Sequence, residues 1–186
     1  VNSHNLSFGD HKRGYEIATQ NTPLPAADES DSFMGYHRPD GQVGTRNYIG
    51  ILTSVNCAGS VARFIAEAAE KSGLLEDSPN VDGIVPIVHS SGCGMSGLGE
   101  GYQMLFRTLA GYSKNPNFGA ILLVGLGCEV MQVPDLIGPA RLRDGESFRY
   151  MTIQQTGGTK RTIERGLGML REIAAVANRA TRAPAP

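Results

Sequence analysis

Three cysteines stand at comparable positions in the sequence. Cys57, Cys93 and Cys128 each follow an apolar run and lie among small residues. A single free cysteine is most often a small buried hydrophobic residue. Three in equivalent positions favour a shared role, because convergent thiolates bind iron, zinc or an iron–sulfur cluster. No Cys-x-x-Cys occurs, so the spacing is not that of a zinc knuckle. Three ligands would leave a fourth position open to substrate.

Two ionisable residues accompany the cysteines. His89 precedes the loop that contains Cys93, and Glu129 follows Cys128 directly. His89 is either a hydrogen-bonded structural residue or a metal ligand or proton carrier, since histidine titrates near neutral pH. Glu129 is a candidate metal ligand, a candidate general base, or an acid facing a helix dipole. We predict catalytic functions for both.

Three further residues could bind a hydroxylated acid. Asn56 and Gln155 each offer a side-chain amide after an apolar run. The guanidinium of Arg46 could clamp a carboxylate, although Arg46 precedes its strand and so lies at the opposite end from the cysteines unless its loop folds over.

Alternating strands and helices must position these residues. The sequence predicts strands at 48–55, 81–88, 120–124 and 149–155, and helices at 58–75, 100–113 and 159–178, with a looser helical segment ending at 137. This order indicates an α/β fold, a three-layer Rossmann-like domain with a mainly parallel sheet of about four or more strands. In such a sheet, all turns that follow strands lie at one edge, where ligands bind. The cysteines should therefore be side by side.

Several local features are open to direct comparison with a structure. Pro86 indicates that its strand either lies near a sheet edge or bends at this residue, because proline lacks an amide donor. The helix at 100–113 should bury Met104, Leu105 and Leu109, with Tyr112 beside them. Thr159 is a predicted N-cap. Residues 183–186 (Ala-Pro-Ala-Pro) are predicted to be non-structural, marking a boundary to a missing carboxyl-terminal portion.

Composition limits the class of protein. The 186 residues are 40% hydrophobic and carry a net charge of −1. Scattered charge argues against nucleic acid or an anionic membrane as a partner. Neither a membrane-spanning stretch nor a signal peptide is evident, so we expect a cytoplasmic protein. Polar, proline-containing residues 1–33 are typical of a linker, with a leftover strand end around residues 1–8, and residues 34–182 are predicted to form the α/β domain.

Several ordered blocks strongly resemble the altronate/galactarate dehydratase family of hydro-lyases. The blocks are 35–49 (Gly-Tyr-His-Arg-Pro-Asp-Gly-Gln-Val-Gly-Thr-Arg-Asn-Tyr-Ile), 55–57 (Val-Asn-Cys), 79–83 (Pro-Asn-Val-Asp-Gly), 89–94, 115–118 (Asn-Pro-Asn-Phe), 125–129 (Gly-Leu-Gly-Cys-Glu) and 155–159 (Gln-Thr-Gly-Gly-Thr). By this resemblance, residues 1–5 are similar to the end of a small β-rich, SAF-like domain, with Asn2 where the family usually has histidine.

The resemblance implies dehydration of a sugar acid to a 2-keto-3-deoxy acid, with divalent iron as cofactor. It implies Cys57, Cys93 and Cys128 as candidate metal ligands, and a homo-oligomer in which SAF-like and carboxyl-terminal domains complete the enzyme. An iron–sulfur cluster is the alternative to a single ion. A different class of function is also open: a non-catalytic α/β domain that binds a small acid or assembles with a partner, with structural cysteines.

Overall fold

The computed structural model describes residues 32–142 and 144–186. Residues 1–31, which include most of the predicted domain tail and linker, lie outside the described residues. In chain order the elements are β1 (Phe33–His37), β2 (Val43–Gly44), β3 (Tyr48–Thr53), α1 (Gly59–Lys71), β4 (Gly83–Ile87), α2 (Glu100–Ser113), β5 (Phe118–Gly125), α3 (Val133–Ile137), β6 (Phe148–Thr152), α4 (Ile153–Thr156), α5 (Thr159–Ala177) and β7 (Arg182–Ala185).

A four-stranded, all-parallel sheet forms the centre of the domain. Its strand order is β4-β3-β5-β6, which confirms the predicted α/β class. The central strands β3 and β5 are almost entirely buried, which explains their unbroken apolar sequences. β4 is an edge strand, which is one of the two alternatives indicated by Pro86, and an edge position tolerates the missing amide donor.

Helices cover both faces of this sheet. Successive residues of β5 point to opposite sides, so Leu122 packs in the core formed with α1 and α5, whereas Leu123 packs in the core formed with α2 and α3. The result is three layers with two hydrophobic cores. None of the helices in the described ranges combines the length and apolar character needed to cross a membrane.

Two helix predictions are wrong in detail. α2 buries Leu105 and Leu109, with partly buried neighbours such as Phe106 packed on the same core, whereas Met104 and Tyr112 are 55% and 42% exposed and are not part of that core. The N-cap of α5 is Gly158 at φ 101°, and no side chain caps the helix. Only glycine adopts that backbone conformation readily, so Thr159 begins the helix instead of capping it.

The carboxyl-terminal residues 182–185 form a strand, so the prediction of a non-structural end is wrong. β7 pairs antiparallel with β1, which also pairs with β2, in a separate three-stranded sheet. Pro184 is tolerated because β7 is an edge strand. The Arg182 guanidinium also lies 4.7 Å from the centroid of the Tyr36 ring, a cation–π contact that tethers β7.

A buried asparagine holds the amino-terminal edge of the parallel sheet. The Asn47 side chain is fully buried; it donates to the carbonyl oxygens of Asn80 (2.7 Å) and Ala177 (2.9 Å). It also accepts a 2.9 Å hydrogen bond from Arg38 Nη2. Burial lowers the pKa of the Arg38 guanidinium from its ordinary value. A Cβ atom on Gly119 would overlap Asn47 Oδ1, so the network also explains a glycine within β5.

We expect Asn47→Ala to lower the free energy of unfolding by about 2–4 kcal/mol, because it leaves buried donors and acceptors without partners. Urea denaturation of the purified protein measures this. Asn56→Ala is the matched control, since Asn56 is exposed and its truncation should change stability by less than about 0.5 kcal/mol. Equal effects of the two substitutions would contradict the inference that the Asn47 side chain stabilises this edge of the sheet.

Candidate functional site

The turns after the four parallel strands meet at the carboxyl-terminal edge of the sheet. The backbone N–H of Asn56 donates to Ser91 O (2.8 Å), and the backbone N–H of Val130 donates to Gly92 O (3.1 Å). The backbone N–H of Gln154 donates to Leu126 O at 3.0 Å. These bonds connect the β3 turn to the β4 turn, the β4 turn to the β5 turn, and the β5 turn to the β6 turn. The edge is therefore one continuous surface.

All three cysteines belong to this surface as exposed free thiols. Each lies in one of the connected turns, so the thiols are accessible to reagents and ligands. Within residues 32–142 and 144–186, however, no group of three or more histidine, cysteine, aspartate or glutamate side chains is arranged to hold a metal ion. The described residues thus present separate soft donors and do not fit a metal as a closed ligand set.

Cys128 has a side-chain partner that the sequence did not indicate. Gln154 Nε2 donates to Cys128 Sγ at 3.4 Å. Gly127, at φ 119°, allows this contact, because a Cβ atom there would lie 2.7 Å from Gln154 Oε1. Gln155, which we predicted to bind substrate, is also exposed at this edge. Gln154 and Gln155 have identical side chains, so the sequence could not show which of them contacts Cys128. The geometry of α4 gives this contact to Gln154.

The predicted base Glu129 is 3% exposed, and both carboxylate oxygens are occupied. Ser54 Oγ donates to Oε1 at 2.6 Å, and the Leu126 and Gly127 amides donate to Oε1 (3.2 Å) and Oε2 (2.6 Å). The Glu129 carboxylate therefore closes its own turn through hydrogen bonds from the backbone amides of Leu126 and Gly127. Ser54 was missed in the sequence because a serine at a strand end is common and gives no signal of a buried acid 75 residues later.

His89 is held by two hydrogen bonds. Its Nδ1 accepts from the Ser91 amide at 3.1 Å, which requires the neutral ring to carry its proton on Nε2 and donate to Thr53 O at 2.9 Å. Both ring nitrogens are engaged in this arrangement. Binding a metal or a proton at Nδ1 would require release of the Ser91 amide, and a catalytic function for His89 stays a prediction.

The structure brings together most, but not all, of the predicted site residues. Asn56 is exposed at the same edge as the cysteines. Arg46 lies before β3, at the opposite edge of the sheet, and its Nη1 is 3.6 Å from Asp82 Oδ1. Its guanidinium is therefore not among the groups that the carboxyl-terminal edge presents.

A cavity of about 770 Å³ lies elsewhere in the domain. Its lining includes Leu74 and Leu75 after α1, and Ile84 and Pro86 of the edge strand β4. No cysteine lines it, and its lining runs from Arg63 in α1 to Pro86 in β4. The chemistry-bearing residues are thus on an open edge and not in this cavity.

Known proteins with similar sequences cover most of this chain. Altronate dehydratase of Escherichia coli (strain K12) is 33% identical over 180 residues, which are 97% of this chain and 34% of the relative. Altronate dehydratase of Bacillus subtilis (strain 168) is 26% identical over 188 residues, covering 92% of this chain and 35% of the relative. Galactarate dehydratase (L-threo-forming) of Escherichia coli (strain K12) is 35% identical over 116 residues, 62% of this chain and 22% of the relative.

This chain spans about a third of the length of the two altronate dehydratases. Residues 35–178 match a family described as D-galactarate dehydratase/altronate hydrolase, second domain. The match begins in β1 and extends just past the end of α5, so it includes the parallel sheet and all four turns at its carboxyl-terminal edge. The chain therefore belongs to the D-galactarate dehydratase/altronate hydrolase family, as the ordered sequence blocks indicated.

Proposed function

We propose that the protein is a hydro-lyase that dehydrates a sugar acid of the altronate or galactarate type to a 2-keto-3-deoxy acid. The observation that carries this proposal is the family match over residues 35–178, together with relatives named altronate and galactarate dehydratase. In the reaction, a proton leaves the carbon next to the carboxylate and hydroxide leaves the neighbouring carbon. The resulting enol gains a proton on carbon to become the keto acid, and the net change is loss of one water.

The carboxyl-terminal edge is the proposed substrate-facing surface of this domain. Asn56 and Gln155 are exposed there, and each amide has both a donor and an acceptor for substrate hydroxyls. Parallel α/β sheets bind ligands at this edge. His89 is the proposed proton carrier, after release of the Ser91 amide. Arg46 lies at the other edge, so carboxylate binding is assigned to other groups.

We further propose divalent iron as the cofactor, with an iron–sulfur cluster as the alternative. Exposed thiols at Cys57, Cys93 and Cys128 are suitable soft donors. Because the described residues form no closed ligand set, additional ligands would have to come from elsewhere in the enzyme.

The same comparison supports proposals about organisation. The matched region is about a third of each altronate dehydratase, so we propose that this domain works with a small SAF-like domain and a carboxyl-terminal domain. We also propose a cytoplasmic homo-oligomer that acts on a small-molecule substrate.

Incubation of the full-length protein with altronate or galactarate should yield a 2-keto-3-deoxy acid, measured as the 2-keto acid by mass spectrometry. The alditol of the same chain length is the control, because it lacks the carboxylate that acidifies the neighbouring carbon–hydrogen bond. Binding of either acid without turnover would contradict the proposal and favour a non-catalytic acid-binding domain.

Cys57→Ser, Cys93→Ser and Cys128→Ser should each lose most bound iron when purified without oxygen, because each thiolate is a proposed ligand of the iron in the complete enzyme. Metal and acid-labile sulfide analysis measures this, and sulfide distinguishes a cluster from a single ion. Ser90→Ala, an exposed change in the turn of Cys93, should retain iron. A metal-free wild type, with all three variants folded normally, would show that these cysteines are not ligands.

A further inference from the structure

Ser54 and Glu129 form a buried link between the turns after β3 and β5. Ser54 is 0% exposed and Glu129 is 3% exposed, and the hydroxyl donates to Oε1 at 2.6 Å. A buried carboxylate is strongly unfavourable unless hydrogen bonds replace its hydration. Here one hydroxyl and two backbone amides replace it.

The space around this link is filled. A Cβ atom on Gly125 would lie 2.5 Å from Glu129 Oε1, 2.8 Å from Val133 Cγ2 and 3.1 Å from Ser54 Oγ. The carboxylate is thus packed directly against the backbone of β5. It cannot change position without moving the turn that it closes.

The turn closed by Glu129 connects the neighbouring turns. It presents Cys128 to solvent, while Leu126 O accepts from the Gln154 amide and the Val130 amide donates to Gly92 O. Ser54 lies two residues before Asn56, in the turn that presents Cys57. Movement of Glu129 would therefore displace the exposed groups of several turns together.

We propose that Ser54 and Glu129 are positioning residues for the dehydration, and that Glu129 acts through the turn that carries Cys128 and not as the general base. This inference rests on the proposed function for its catalytic consequence. The link itself is a property of the fold and can be tested separately.

The test uses full-length protein with Ser54→Ala and Glu129→Gln. Hydrogen exchange of the Leu126 and Gly127 amides should accelerate about tenfold or more in both variants, with exchange in β5 unchanged. With a sugar acid as substrate, kcat should fall about tenfold to a hundredfold in both, because displaced groups lose alignment, while KM changes by less than about threefold. Ser147→Ala and Glu164→Gln are matched controls on exposed residues and should change neither quantity.

Unchanged exchange in both variants would overturn the positioning role. So would a Glu129→Gln enzyme that is inactive beside a Ser54→Ala enzyme of wild-type kcat, since that pattern identifies a general base. If the wild type has no dehydratase activity but exchange accelerates as expected, the link is supported and the proposed function fails. Should Glu129→Gln not fold, Ser54→Ala alone tests the positioning role, and unchanged exchange with wild-type kcat in that variant would overturn it.

Discussion

Parallel strand pairing is the constraint on which the rest of this structure depends. Because β4, β3, β5 and β6 run in the same direction, every turn after a strand emerges at one edge and every turn before a strand emerges at the other. The two edges are built differently. The amino-terminal edge is held by a hydrogen-bond network centred on the buried side chain of Asn47. The carboxyl-terminal edge presents exposed thiols and side-chain amides.

This division gives structural positions to the polar residues of the sequence blocks by which this chain resembles the family. The blocks at 35–49 and 79–83 supply Arg38, Asn47 and the Asn80 carbonyl to the hydrogen-bond network at the amino-terminal edge. In this chain those residues stabilise the fold through hydrogen bonds. The block at 125–129 combines both functions, since its glutamate is buried in the turn while its cysteine is exposed.

Much of this architecture could be predicted from the sequence, because apolar runs and helical periodicity reflect burial directly. Pro86 indicated an edge position or a bend for β4, and the edge position is the one observed. β7 could not be predicted, because the pairing of residues 182–185 with β1 is a contact between distant segments and their local sequence resembles a loop. For the site, topology predicted which turns would meet. It could not show that Glu129 and His89 use their polar atoms within the fold, since hydrogen-bond partners such as Ser54 and the Ser91 amide depend on three-dimensional geometry.

The central claim is that the carboxyl-terminal edge faces the substrate of a sugar-acid dehydratase. Competitive thiol labelling of the full-length protein tests it most directly, with each cysteine quantified by peptide mass spectrometry. We predict that altronate or galactarate slows alkylation of Cys57, Cys93 and Cys128 several-fold, whereas the corresponding alditol does not. Equal labelling of all three cysteines with and without a sugar acid that the protein demonstrably binds would place the substrate elsewhere and contradict the account.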